Sequence, residues 1–294
     1  MSEKINDYIN RYRKIVDKKL VHHIENLSIP EQLKQSMLYS VEAGGKRLRP
    51  ILLIASFESF ADDFNYAISS CIALEMIHTY SLIHDDLPAM DDDDYRRGKP
   101  TNHKVFDEAT AILAGDALLT YSFELIAGDS LLNDNQKVEI IKMLSATSGP
   151  KGMVAGQFLD MEAETRQVTV EELENIHALK TGKLLEFAMY AGAFLGGASQ
   201  TQLQHLKHFA YYLGLIFQVQ DDILDVTGDQ EKLGKPVGSD EGNDKSTYPK
   251  LLGLDGAMDK KNEYVEKAYQ ELEKAEAKSS VLKELTDYFS NRDH

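Results

Sequence analysis

Ile5, Tyr8, Ile9, Tyr12, Ile15, Val16 and Leu20 recur at three- and four-residue spacing with polar residues between them, the pattern of an amphipathic first helix. Pro30 opens a second helix, with Leu33, Met37, Leu38 and Val41 along one face and Gly44-Gly45 marking its end. After Pro50 the run Ile51-Leu52-Leu53-Ile54-Ala55-Ser56-Phe57 is apolar all round, and Tyr66 to His84 is nearly so. Helices of that kind are buried in a large bundle. The spans 104–127, 134–147, 171–196 and 202–227 repeat the helical period, and a last one, 257–289, is long and highly charged. Alternating β-branched runs are missing, which excludes a βαβ architecture. With no Ser/Gly linker, low-complexity tract or regular repeat, the pattern predicts an all-α single domain, 1–294, of about ten or more helices.

Composition supports this and narrows the partners. Ala, Leu, Glu and Lys are abundant, whereas 7 Pro and 19 Gly are few for 294 residues. Pro30, Pro50, Pro88, Pro100, Pro150, Pro236 and Pro249 fall where a helical pattern starts, stops or has to kink. Thirty-two Lys and Arg against 48 Asp and Glu leave a formal charge of −16, which argues against nucleic acid as a partner. The same charge makes an anionic substrate depend on local cations or metal. Cys71 is the only cysteine, so there is no internal disulfide, and its apolar flanks predict a buried structural thiol. The first residues carry no apolar signal core and no stretch approaches the ~18 to 20 apolar residues of a membrane span. A cytoplasmic protein without a membrane partner is expected.

The candidate chemistry lies in two acidic clusters, Asp85-Asp86-Leu87-Pro88-Ala89-Met90-Asp91 and Asp221-Asp222-Ile223-Leu224-Asp225. On a helix Asp221 and Asp225 lie about 40° apart, so both carboxylates share a face. A divalent cation compensates such like charges, and Mg²⁺ suits a sparse carboxylate set completed by substrate phosphates. Asp85 and Asp91 are about 240° apart on a straight helix, so the chain has to bulge or break near Pro88 to bring Asp91 back. Cations are placed where a diphosphate needs them. Lys46, Arg47 and Arg49 follow Gly44-Gly45, Arg96-Arg97-Gly98 follows the first acidic cluster, and Lys180 and Lys235 stand beside glycines.

Together with Ile83-His84, Lys180-Thr181-Gly182, Phe217-Gln218-Val219-Gln220 and Gly242-Asn243-Asp244-Lys245-Ser246-Thr247-Tyr248-Pro249, these motifs make the whole chain resemble the trans-isoprenyl diphosphate synthase family, and within it the bacterial farnesyl type. The resemblance implies an all-α fold around a deep central cavity, the two aspartate helices facing each other across it, and a homodimer. It implies three Mg²⁺ ions, with Mn²⁺ as a substitute, held by Asp85, Asp86, Asp91, Asp221, Asp222 and Asp225. By the same carry-over Arg96, Lys180 and Lys235 contact the allylic diphosphate, and Thr181 and Gln218 face the carbocation as uncharged polar groups. Gly45, Lys46, Arg49, His78 and Arg97 match the isopentenyl diphosphate positions. The implied reaction joins isopentenyl diphosphate to dimethylallyl and then geranyl diphosphate, with the released pyrophosphate as base.

Tyr80, five residues before Asp85, is placed to floor the cavity; with Ser81 it matches the family's length-limiting positions and implies a fifteen-carbon product. The Leu-Pro insertion before Asp91 also marks the farnesyl type. Gly238-Ser239-Asp240 departs from the Gly-Lys/Thr-Asp that relatives often carry there. The competing expectations are a twenty-carbon synthase, a non-catalytic subunit of a heteromeric synthase, and a terpene cyclase, which needs no isopentenyl site.

Overall fold

The structure is a computed structural model that describes residues 3–227, 246–278 and 280–292. Its helices are α1 (Glu3–Glu25), α2 (Glu31–Val41), α3 (Leu48–Glu58), α4 (Ile68–Asp85), α5 (Asn102–Val105), α6 (Glu108–Ala127), α7 (Asp134–Ser148), α8 (Met153–Ala163), α9 (Val170–His177), α10 (Lys183–Leu195), α11 (Gln200–Thr227), α12 (Tyr248–Lys274) and α13 (Ser280–Asn291). Among the described residues the only strands are β1 (Tyr95–Arg96) and β2 (Lys99–Pro100), paired antiparallel around Arg97-Gly98. The chain is all-α, as its period predicts.

Chain contacts divide the described residues into two compact units, one formed by residues up to 54 with 64–142, the other by 55–63 with those from 143 on. In the first unit the buried seam of α1 is Ile5, Ile9, Tyr12, Val16, Leu20 and Ile24, a narrower stripe than the sequence pattern because Tyr8 and Ile15 stay at its edge. α4, apolar all round, packs against α1, α2 and α6. Its Cys71 is fully buried, and burial pushes the thiol far above its ordinary pKa, which fits a structural residue.

In the second unit α11 packs along α12 and against α10 and α13. Asp222 meets Tyr248, Gln220 meets Lys261 and His205 meets Glu271, so α11 and α12 run antiparallel. Thr169 opens α9 with a capping box to Glu172, and the Thr247 side chain caps α12.

The structure amends four expectations. The span 171–196 is not one helix: a π-helical turn, Ala178–Gly182, separates α9 from α10. The span 257–289 is two helices, because α12 starts at Tyr248 and ends at Lys274 before α13 begins. α8 was not marked by periodicity at all; Val154 and Phe158 face outward, so its apolar residues trace no single stripe. Finally, α6 is 20 residues long with a window of mean hydropathy 1.3, enough by length and composition to cross a membrane, although Glu108, Asp116 and Glu124 lie along it. Its Ala-rich sequence raises the mean without a long aliphatic run. One face of α6 packs on α4, where Gly115 admits the His84 ring, while Ile112 and Leu113 are exposed.

Candidate functional site

In the first unit, α4 ends at Asp85, directly before Pro88 can clash with a continued helix. The chain then folds back. Met90 donates to the Leu87 carbonyl, Asp92 takes a positive φ of 50°, and the Asp91 amide donates to the Asp85 carbonyl at 2.9 Å. The break near Pro88 thus returns Asp91 to the helix end that carries Asp85. Asp86 is buried, and its pKa is raised to about 6 by burial, even though Arg96 beside it favours the carboxylate. Arg96 donates from Nε to Asp86 at 2.5 Å and also reaches Asp93. It is therefore engaged with the acidic cluster, and in the ion pair with Asp86 the carboxylate is buried while the guanidinium stays partly exposed.

The Gly44–Arg49 segment and the Arg96-Arg97 turn converge. Arg97 donates to the Gly44 carbonyl, and its guanidinium lies where a Cβ on Gly45 would sit, 2.8 Å away. Gly45 has φ +132°, so only glycine permits both the turn and the approach. Arg49 donates to His78 Nε2 at 3.2 Å; since a guanidinium only donates, that nitrogen accepts and the ring proton sits on Nδ1. Burial first, then Arg49, Arg97, Arg47 and Arg96, hold the His78 pKa well below its ordinary value, so the ring stays neutral. Lys46 lies half-buried in the same loop.

One expected cation is not part of this cluster's outward face. Arg47 is buried, donating to Asp17 and Glu75 at 2.7 Å each and to the Val41 carbonyl. Burial opposes its charge, but Glu75 and Asp17 outweigh that. It braces α2, α1 and α4 rather than offering its fork to a phosphate.

Tyr80 is buried and its ring meets the His84 ring edge-on at 5.7 Å. His84 in turn donates from Nε2 to the Ile112 carbonyl on α6. Burial, with Asp85 nearby, pushes the Tyr80 phenol up to about 12. The Ser81 hydroxyl turns back to the His78 carbonyl.

In the second unit Asp221 is half-exposed and paired with Arg292 at 2.5 Å, while Asp222 and Asp225 are buried. Asp222 accepts from the Tyr248 amide at 2.9 Å, which fixes the first turn of α12 to the acidic end of α11. Arg292 also donates to the Phe217 carbonyl and lies 3.9 Å above the Phe217 ring.

Lys180 and Thr181 stand on the π-helical turn, a distortion that widens the helix locally. Two glycines let it be gripped: a Cβ on Gly156 would fall 2.1 Å from the Lys180 amide nitrogen, and one on Gly214 2.7 Å from the Gly182 Cα. Lys180 donates to Asp160 of α8 at 2.6 Å, and the Thr181 hydroxyl donates to Gln218 Oε1 at 3.0 Å. Both polar atoms of the Gln157 amide, one turn before Asp160, are buried without a hydrogen-bond partner in the structure. His177 stacks on Tyr248, and burial brings its pKa down to about 4. Lys235 and the Gly238-Ser239-Asp240 and Gly242–Lys245 motifs lie outside the described residues.

Sequence reasoning missed Asp160, Gln157, His177 and Arg292. Gln157 and Asp160 have one-face helical spacing, but the helix that carries them had not been recognised. Arg292 is distant in sequence from Asp221 and nothing in the chain pattern links them.

A family model described as polyprenyl synthetase matches residues 30–288. The chain is 49% identical over 292 residues to the farnesyl diphosphate synthase of Geobacillus stearothermophilus, covering 99% of this chain and 98% of that protein. It is 48% identical over 296 residues to the farnesyl diphosphate synthase of Bacillus subtilis (strain 168), covering 100% of both. Among solved structures it is similar to a geranylgeranyl pyrophosphate synthetase from Pyrococcus horikoshii Ot3, with a TM-score of 0.89 at 30% identity over 99% of this chain and 100% of that one.

Proposed function

This chain belongs to the polyprenyl synthetase family, and from that membership we propose that it is a farnesyl diphosphate synthase, a prenyltransferase joining isopentenyl diphosphate head-to-tail to dimethylallyl and then geranyl diphosphate. The observation that carries the substrate class is the group of guanidinium groups around neutral His78. Arg49 and Arg97, with Gly45 and Lys46, form a cationic cradle suited to the isopentenyl diphosphate group.

The carboxylates fit a hard divalent ion. Asp86 is desolvated enough that Arg96 alone does not restore an ordinary acidity, so the anion has room for a further cation. Asp85, Asp86, Asp91, Asp221, Asp222 and Asp225 would hold the magnesium ions, three as the family resemblance has it, with manganese as a substitute. Bound magnesium supplies Lewis-acid stabilisation of charge on the departing diphosphate oxygen.

The chain's own groups do the rest. Lys180, Arg96 and Lys235 add positive charge to the allylic diphosphate as its carbon–oxygen bond breaks. Thr181 and Gln218, bonded to one another, present uncharged oxygens to the carbocation without trapping it. The alkene of isopentenyl diphosphate attacks the cation, and the proton then lost leaves with pyrophosphate. Tyr80 and Ser81 limit the product to fifteen carbons.

The enzyme is proposed to act in the cytoplasm as a homodimer. Exposed Ile112 and Leu113 on α6 are the surface that supports the pairing of two copies. Incubation with isopentenyl and dimethylallyl diphosphates, with Mg²⁺ present or chelated, tests the function: a fifteen-carbon product only with Mg²⁺ is expected. No condensation with Mg²⁺ refutes it, and a twenty-carbon product moves the chain to the geranylgeranyl class.

A further inference from the structure

At the opposite end of α11 from its aspartates, three side chains converge that the condensation does not use. His205 and His208 lie one turn apart on α11, and Glu271 projects from α12. Glu271 Oε2 accepts from His205 Nδ1 at 2.8 Å and lies 3.4 Å from His208 Nδ1. The ligand-type atoms all fall within 4.8 Å of one another. Adjacent ligands of a tetrahedral zinc ion, each about 2.0–2.1 Å from the metal, are about 3.3 Å apart. The two distances to Glu271 bracket that spacing before any side chain moves: the 3.4 Å pair already matches it and the 2.8 Å pair has to open by about half an ångström.

We propose that His205, His208 and Glu271 form a binding site for a first-row transition-metal ion of the Zn²⁺ class. Two imidazoles and one carboxylate match the donor set such ions prefer, whereas Mg²⁺ demands oxygen ligands. Binding replaces the protons on the two Nδ1 atoms with one shared cation. Glu271 is only 13% exposed, and although burial opposes its ionisation, Lys274, His205 and His208 bring its pKa down to about 2, so it is anionic as a ligand must be. Lys274 holds the other oxygen, Oε1, at 2.6 Å and competes with the metal for the carboxylate charge.

The site joins the first turns of α11 to the last turns of α12. His205 precedes Asp221 by sixteen residues, about 24 Å along the helix, so this metal takes no part in diphosphate chemistry. Its effect is to staple the helix pair whose far end carries Asp221, Asp222 and Asp225.

The test is zinc titration of the full chain with saturating Mg²⁺, read by calorimetry and thermal melting, with Co²⁺ absorption as the probe of ligand geometry. One equivalent of Zn²⁺ and a rise in Tm of several degrees are expected for the wild-type protein. His208→Ala and Glu271→Gln should lose both, together with the tetrahedral Co²⁺ bands, while keeping Mg²⁺-dependent condensation. Lys274→Ala should bind zinc several-fold more tightly. Equal zinc uptake by wild type and both ligand variants, or no zinc uptake by wild type, overturns the site; unchanged affinity in Glu271→Gln alone removes Glu271 as a ligand.

Discussion

Lys180 reaches across from its π-helical turn to Asp160 on α8, Nζ to Oδ2 at 2.6 Å. The ammonium proposed to meet the allylic diphosphate is therefore held by a carboxylate, and α8 can approach because Gly156 has no side chain. Asp160 is a positioning residue for Lys180. A charge-assisted bond of this kind is worth about 1.5–3 kcal/mol, so Asp160→Asn should lower kcat/KM for geranyl diphosphate by roughly ten- to a hundred-fold. The isopentenyl diphosphate KM should stay within about twofold, because a local change at Lys180 leaves the Arg49 and Arg97 cradle intact. Steady-state kinetics with each substrate varied in turn check this, and equal losses for both substrates would point to general misfolding instead.

Asp221→Ala removes the half-exposed member of the second triplet and the partner of Arg292. Turnover should fall by orders of magnitude while the far-UV circular dichroism stays unchanged, since Asp222 still anchors α12 through Tyr248. Near-normal rates in this variant would show that the second cluster is not a metal site.

Tyr80→Ala opens space beside His84 along the wall before Asp85. Products longer than fifteen carbons should appear by chromatography. If that variant makes farnesyl diphosphate alone, Tyr80 does not set the length.

His177 gives stability a pH dependence of known sign. Unfolded, its imidazole titrates near 6.5; folded, burial delays protonation to about 4. The unfolded chain therefore takes up the proton first as pH falls, so the contribution is present above 6.5 and is lost on the way down to about 4. The full loss is on the order of 3 kcal/mol. His177→Phe keeps a ring against Tyr248 and should lack this segment of the profile, measured by urea denaturation at pH 7, 5.5 and 4. Parallel profiles for the two proteins would exclude it.

The two aspartate triplets and the break between Asp85 and Asp91 were legible in the chain, because helical period and proline chemistry act over a few residues. The Gly44-Gly45 turn was legible as a place for close approach, but not that Arg97 is what approaches it. His78 illustrates the difference. Its residue type allowed a core histidine or a diphosphate ligand, and burial together with four surrounding arginines, from two segments of chain, decides that it is neutral and orients Arg49.

Local pattern by itself determined that this protein is helical, where most of its hydrophobic faces lie, and which carboxylates and cations are candidates for metal and phosphate chemistry; each depends on neighbours one to seven positions away. Tertiary structure decided which charges are spent on each other. Arg47 is taken up by Asp17 and Glu75, Lys180 is held by Asp160, and Arg292 meets Asp221, all pairings between residues at least 20 apart. It also decided that the 171–196 span yields to a π-helical turn, since Gly156 and Gly214 bring neighbouring helices onto its backbone. Such choices rest on burial and on distances across helices, and a carboxylate in the sequence carries no mark of which cation will lie within 3 Å of it.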